Sequence, residues 1–506
     1  MSVPKTQPDT YPIVLTADRT LLAHYDILFD GMLAASQTTT TPKIIMDRLL
    51  LPRTPVTGGR VQIAPLGLRR IEAALLAGGF TPDEVIITTG EHLREVVGPA
   101  TRVIAISTGD PLGLGMNSNT MSAIAGGIGY PEAMFRRLLH QVRQARAIAP
   151  GVKVLVGGPG AWQLADASDT RHEFGIDHLV LGYAEGNAAE IFQALLHGEA
   201  SPEVILGQPV AAEAIPLVRG ATLMGGVEIS RGCGLGCAFC TIAGVLMQHL
   251  PEETILADAR TNVQAGEVNL SLLSEDFFRY GAEGVKVNPQ RLIGLLERLR
   301  RIDGLRLLQI DHVNVISLAQ FSDEELRAVR DLLVGANRHD YLWVNVGVET
   351  ASGELLKANG GAPKMGRYGA EAWGDLCAEQ IRRLCRAGFF PLASLMVNLP
   401  GEREEDVQQT LAWVRGLREE RIAIFPMLHA PLDRLAGDLP RLSRLQWQLI
   451  RESYDSNFTW VPHMFWDNQR AAGVPRAKCL MLQALGGGKT AQWKAYFAWH
   501  SWRARR

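Results

Sequence analysis

Short runs rich in Val, Ile and Leu recur along this chain, each followed by a stretch whose apolar residues fall at helical spacing, and this alternation restricts the fold more than any other feature. A strand that reads as continuously apolar is buried on both faces, which happens when helices cover both sides of a parallel sheet. The runs fall into two groups. The first comprises IVLTAD (13–18), DEVIITT (83–89), RVIAIS (102–107), VKVLVGG (152–158) and DHLVLG (177–182), with helical stretches at 66–79 and 131–148. The second comprises GGVEIS (225–230), VNLSLLS (268–274), LRLLQID (305–311), LWVNVGV (342–348), FPLASLMVN (390–398) and IAIFPM (422–427), with helices expected at 289–302, 322–333 and 401–417. Ser322 and Glu325 stand at capping-box spacing, which marks a helix start. At 506 residues the chain exceeds one ordinary core. The expected fold class is α/β: a doubly wound, Rossmann-like domain over 1–205, a linker over 206–224, a partial (β/α)6 barrel over 225–434 and a helical, Trp-rich cap over 435–506. Residues 30–62 read as an irregular excursion.

Parallel α/β folds place ligands beyond the carboxyl ends of their strands. The loop after the first run of the second group is RGCGLGCAFC, with Cys233, Cys237 and Cys240 at C-x3-C-x2-C spacing. Iron–sulfur clusters are normally held by four thiolates, so three leave one iron of a four-iron cluster open. Zinc is the alternative, but it takes four protein ligands or three plus water, and no histidine lies inside the loop. The other cysteines, Cys377, Cys385 and Cys479, are scattered, and residues 1–232 contain none. A second cluster with its own cysteine set therefore has no ligands.

The cysteine loop, with Phe239 before its last cysteine, closely resembles the radical S-adenosylmethionine (SAM) superfamily. That resemblance implies a 4Fe-4S cluster on Cys233, Cys237 and Cys240, with SAM's amino and carboxylate groups on the open iron. SEDFF (274–278), GVET (347–350) and NLPGE (398–402) end later strands and resemble SAM-contacting elements of the family. The implied SAM contacts are Phe239, Glu275, Asp276, Gly347, Glu349 and Asn398. The acids suit ribose hydroxyls or the amino group, and Gly347 allows close backbone approach.

The first group of strands carries a second resemblance, to the cobalamin-binding domains fused to radical SAM enzymes. PLGL (65–68) opens a helix, a GGPG turn follows a strand, and ID-x-LVLG-x-x-E (176–185) precedes another helix. The implied cobalamin contacts are Ser107, Thr108, Gly109, Gly157, Gly158, Pro159, Gly160, Gly182 and Glu185. No DxHxxG sequence occurs in residues 1–200, so a bound corrin would have no histidine on cobalt. The two resemblances together imply a cobalamin-dependent radical SAM enzyme. The leading expectation is a methyltransferase moving a methyl from SAM via methylcobalamin to an unactivated carbon of a small-molecule substrate. A cobalamin-linked radical SAM cyclase or ring-rearranging oxidase, for instance one acting on a tetrapyrrole, is the alternative, and a non-catalytic cobalamin or iron–sulfur sensor a remote one. Such an enzyme takes electrons from a reductant such as flavodoxin or ferredoxin.

The remaining features narrow the class. Lys plus Arg number 51 against 53 Asp plus Glu, a net charge of −2, which speaks against a nucleic-acid binder. No run approaches the roughly 18 apolar residues of a membrane span. The N-terminus lacks a signal-peptide pattern, and a cytoplasmic location is expected. His312 and His429 are candidate pocket residues. The basic end WRARR (502–506) reads as a solvated tail. Six of the ten tryptophans fall after residue 435 at helical spacings such as WKAYFAWHSW, expected to form a core-packing cap. LGGGKT (485–490) lacks the first glycine of a phosphate loop and reads as a turn.

Overall fold

In the computed structural model, which describes residues 10–431 and 442–503 and the side chains up to residue 499, the first group of runs forms a six-stranded parallel sheet. Its strands are β1 (Ile13–Ala17), β2 (Val85–Ile87), β3 (Val103–Ser107), β4 (Lys153–Gly157), β5 (His178–Leu181) and β6 (Val204–Leu206), in the order β2-β1-β3-β4-β5-β6. The order reverses between β1 and β3, the doubly wound pattern whose ligand crevice lies at that switch point. Helices α1 (Leu66–Ala77), α2 (Met116–Ala125) and α3 (Tyr130–Arg146) lie between these strands in sequence. The central strand β1 is buried along its whole length, as a doubly covered strand must be.

The second group forms the barrel: β7 (Gly226–Glu228), β8 (Asn269–Leu273), β9 (Leu307–Ile310), β10 (Leu342–Glu349), β11 (Phe389–Val397) and β12 (Ala423–Leu428). One ladder joins β7, β8 and β9. Just after β9, His312–Val313 pairs with β10, and a second ladder runs on through β11 to β12. All these pairings are parallel, which gives six strand units in chain order. All nine residues of β11 are buried, and each large apolar side chain so buried contributes about 1.5–3 kcal/mol. The capping box expected at Ser322 is present, with Ser322 Oγ accepting from Glu325 N at 3.1 Å and Glu325 Oε2 from Ser322 N at 2.8 Å. Arg70 of α1 crosses to the helix Glu252–Gln264 and meets the fully buried Asp258 at 2.6 Å, tying sheet to barrel.

Three expectations need correction. The linker begins inside a strand: β6 was missed because it is a short, half-exposed edge strand without a long apolar run. Residues 30–62 are partly helical, with Leu28–Ala35 and the turn Lys43–Leu50, and Phe29 packs edge-on to Trp343 of β10, with ring centroids 6.0 Å apart. LGGGKT lies within a helix, α5 (Arg476–Arg503), which pairs with α4 (Arg444–Ala472) over the barrel. Flanking residues with good helix propensity and the packing of α5 on α4 outweigh the glycine run. The barrel–cap boundary at 434/435 and residues 504–506 of the basic end lie outside the described residues.

Candidate active site at the ends of the barrel strands

Glycine geometry shapes the cysteine loop. Gly232, Gly234 and Gly236 all have positive φ (73°, 69° and 72°), a conformation that side chains with a Cβ rarely adopt, so the chain turns sharply around Cys233 and before Cys237. Antiparallel pairing of Ser230–Arg231 with Gln248–His249 pinches the loop at its base. From the barrel, the Asn359 carbonyl accepts from Ala238 N at 3.0 Å, and a Cβ on Gly360 would stand 2.6 Å from the Gly236 carbonyl. Burial pushes the Cys237 thiol up to about 11 and raises Cys233 and Cys240, so all three need cationic neighbours to ionise. One is Lys364, whose ammonium acts to lower all three. Among the described residues no three His, Cys, Asp or Glu side chains converge as around a single metal ion. Three cysteines on one loop, facing a common cation, suit the corners of a larger cluster.

Lys364 is itself paired with Glu349, the last residue of β10, and both are buried. Burial opposes the lysine's charge, but Glu349 and Cys237 hold it up. Glu349 sits at φ 65°, a strained position for a residue other than glycine, of the kind that persists at functional sites. Gly347 makes room for the pair, since a Cβ there would lie 2.6 Å from Glu349 Oε1 and 2.8 Å from Lys364 Nζ.

The two acids after β8 diverge. Glu275 projects into the open mouth, where crowding by protein raises its pKa, His312 lowers it and Asp311 raises it again. Asp276 is fully buried, its carboxylate accepting from Asn314 N at 3.2 Å and Ser317 Oγ at 2.5 Å. Adjacent residues differ in exposure, so Asp276 braces the helix Val315–Leu318 from within the core while Glu275 stays accessible. His312, expected as a pocket residue, lies beside Asp311 with its Nδ1 3.1 Å from Asp311 Oδ2. Burial opposes its charge, yet Asp311, Glu275 and Glu349 raise its pKa to about 9. Its Nε2 stands 2.6 Å from the Asn345 amide, whose other end takes a hydrogen bond from Ser394 Oγ at 2.6 Å. Asn345 Nδ2 is the atom facing that nitrogen, so in this placement the amide donates to the ring, and a protonated ring needs the amide turned end for end. His429, its pKa lowered by burial, donates its backbone N–H to Val397 O at 2.9 Å. Asn398 adopts φ 68° and gives its N–H to Glu402 Oε2 at 2.9 Å. Phe239 is buried in the barrel core and anchors the loop.

At the sheet, the strand-end loops interlock. Thr108 N donates to Gly157 O at 2.9 Å, and Gly160 N to Thr108 O at 2.8 Å. A Cβ on Gly158 would lie 2.7 Å from Ser107 Oγ, and one on Gly160 2.4 Å from the Gly109 backbone. Pro159 sits between them on the exposed crest. These glycines serve the packing of loop on loop. Three features remain for a ligand: the buried Thr108 hydroxyl and Glu185 Oε2, which have no hydrogen-bond partner, and Gly182, at φ 86° with open space at its Cβ position.

Glu185 has one carboxylate oxygen engaged within the protein. It is buried and its Oε1 accepts from Arg231 NH2 at 2.7 Å. Arg231 immediately precedes the cysteine loop, also binds Glu228 at 2.7 Å, and lies over the Tyr183 ring at 4.3 Å. Burial opposes the guanidinium's charge, but Glu228 and Glu185 hold its pKa above the usual arginine value. The carboxylate thus ties the sheet's loop to the base of the cysteine loop. Sequence reasoning missed Arg231, and its position beside Gly232 in the motif was the available signal.

Comparison with known proteins gives a consistent result. Residues 227–414 match the radical SAM superfamily. Curated relatives include a ribosomal protein uS12 methylthiotransferase RimO from Phocaeicola vulgatus, 26% identical over 39% of this chain and 43% of its own. Another is a tRNA-2-methylthio-N(6)-dimethylallyladenosine synthase from Paenarthrobacter aurescens, 26% identical over 63% of this chain and 58% of its own. The chain spans about half the length of the curated relatives it matches. Among solved structures, the radical SAM methyltransferase TsrM from Kitasatospora setae, with cobalamin and a 4Fe-4S cluster bound, shares the fold. The match has a TM-score of 0.54 at 15% identity and covers 84% of this chain and 77% of that one. No described helix is long and apolar enough to cross a membrane.

Proposed function

On the premise that residues 227–414 form a radical SAM domain, we propose that this chain is a cobalamin-dependent radical SAM methyltransferase acting on an unactivated carbon of a small molecule. The observation that carries the reading is the Glu185–Arg231 pair, which joins the sheet's ligand-facing loops to the cysteine loop and so brings two cofactor-type sites together. The shared fold with a cobalamin-bound methyltransferase supports it. When bound, the reduced cluster and SAM supply a hydrogen-abstracting deoxyadenosyl radical, and the corrin supplies a carrier for SAM's methyl group.

The chain's own residues hold and orient. Cys233, Cys237 and Cys240 hold the cluster. Glu275 accepts from SAM hydroxyl or amino groups, and Lys364 balances the thiolate charge while Glu349 fixes its position. Thr108 and Gly182 meet the corrin. The helix Leu28–Ala35 helps close the barrel, its Leu28 N donating to Gln309 Oε1 at 3.3 Å, which limits water near a reactive radical.

Anaerobic turnover with SAM and a ferredoxin or flavodoxin reductant tests the reading. Methyl transfer yields both 5′-deoxyadenosine and S-adenosylhomocysteine, and a product heavier by one methylene. Deoxyadenosine without any S-adenosylhomocysteine sinks it in favour of a cyclase or oxidase.

A further inference from the structure

Helices α4 and α5, together with residues 29–50, enclose a cavity of about 480 Å3, within the size range of small-molecule sites. Its wall is aromatic, with Phe29, Phe425, Tyr454, Phe458, Phe465 and Trp493. The cavity adjoins the barrel mouth. Phe425 of β12 is in register with Ser394 of β11, and Ser394 with Gly347 of β10. Residues in register on a parallel sheet project from the same face about 4.8 Å apart. The aromatic wall therefore begins roughly 10 Å from the strand end that carries Glu349.

Along α5 the lining runs almost continuously from Leu482 to Trp493 and includes Gly486 and Lys489. Gly486 opens a run of three glycines inside a 28-residue helix, where each glycine costs about 1 kcal/mol relative to alanine. None of Gly486, Gly487 and Gly488 has positive φ, and a Cβ on any of them would meet nothing within 4 Å. Neither a turn nor close packing calls for glycine here. What Gly486 leaves is volume in the cavity. Among the described residues Lys489 is the one charged side chain in the wall. Its Nζ donates to Thr41 Oγ1 at 2.6 Å and to Gln492 Oε1 at 3.0 Å, both neutral, and no described carboxylate pairs with it. Burial accordingly pushes its pKa down.

We propose that this cavity holds the body of the substrate of the proposed methyl transfer, a mostly apolar, ring-bearing molecule with one anionic end that meets Lys489. The identification of the occupant as the substrate rests on that functional reading, whereas occupancy of the cavity does not. Equilibrium dialysis of the full-length chain against pyrenebutyric acid and the neutral pyrenebutanol tests it. Both should bind saturably, the acid more tightly. Gly486→Leu should weaken both by about tenfold or more while raising Tm, and Lys489→Met should weaken only the acid, by about tenfold. Gly486→Ala guards against misfolding: it should raise Tm and weaken both probes less than leucine does. Absence of saturable binding, or unchanged binding in Gly486→Leu with Tm maintained, overturns the cavity assignment. Equal loss of both probes in Lys489→Met overturns the anionic end. Intact probe binding with failed methyl transfer counts against the proposed function alone.

Discussion

The barrel and the sheet present their strand-end loops in opposite ways. The barrel keeps ionisable groups together at an open mouth, with Glu275, His312 and the Glu349–Lys364 pair beside three thiols. The sheet spends its one expected acid, Glu185, on Arg231 and its glycines on loop-against-loop packing. Charge arrayed at an open mouth serves a small polar cofactor that needs orienting. Interlocked backbone with few free polar atoms serves a large, flat one that is recognised by shape. If the contrast is right, substitutions at the barrel should remove chemistry while sparing the fold, and substitutions at the sheet should act first on packing.

The largest expected effect is at the cluster. Cys237→Ala should abolish deoxyadenosine formation with little change in Tm, as measured by chromatography of quenched reactions. Arg231→Met breaks the link between the two sets of loops and leaves the Glu185 side chain without its partner, with only Arg70 at 3.8 Å left to Glu228, a change that costs about 3–5 kcal/mol. Chemical denaturation should show it, and retention of both iron and cobalt should drop in the same variant. A loss confined to cobalt would instead mean that Arg231 serves the sheet alone.

Gly160→Ala drives a Cβ into the Gly109 backbone, and overpacking of this kind costs about 1–3 kcal/mol. Its corrin content should fall while its iron content holds, which separates the two regions cleanly. The smallest effect is at His312. Its folded pKa, raised to about 9 from an ordinary 6.5, contributes stability that is fully present below about pH 6.5 and fades as pH rises through 9. The side chain is partly open to solvent, so the contribution is only about 1 kcal/mol. His312→Gln should therefore lower Tm at pH 6 and have little effect at pH 10.

How much of this was legible in the sequence follows the same physics. Strands buried on both faces betray themselves as apolar runs, and each of the eleven expected strands has its counterpart near the expected position. The cysteine spacing was equally plain. The contacts of Glu185 were hidden because Arg231 lies 46 residues away and only folding brings them together. Glu275 and Asp276 look alike in sequence, yet the chain turns one outward and the other inward. The glycine run of α5 misled for a related reason: local preference says turn, while the helix around it is held by packing on α4 and the barrel. Asn457 of α4 shows that docking, accepting from Ile424 N and donating to Ile424 O, both at 2.7 Å.

The central claim is that one chain holds a cluster and a corrin in loops joined by a single arginine. Metal and corrin analysis of the anaerobically reconstituted protein tests it most directly, read beside the Arg231→Met variant. The account predicts about four irons and one cobalt per chain, with both diminished in the variant. Iron at that level with no retained cobalt would contradict it.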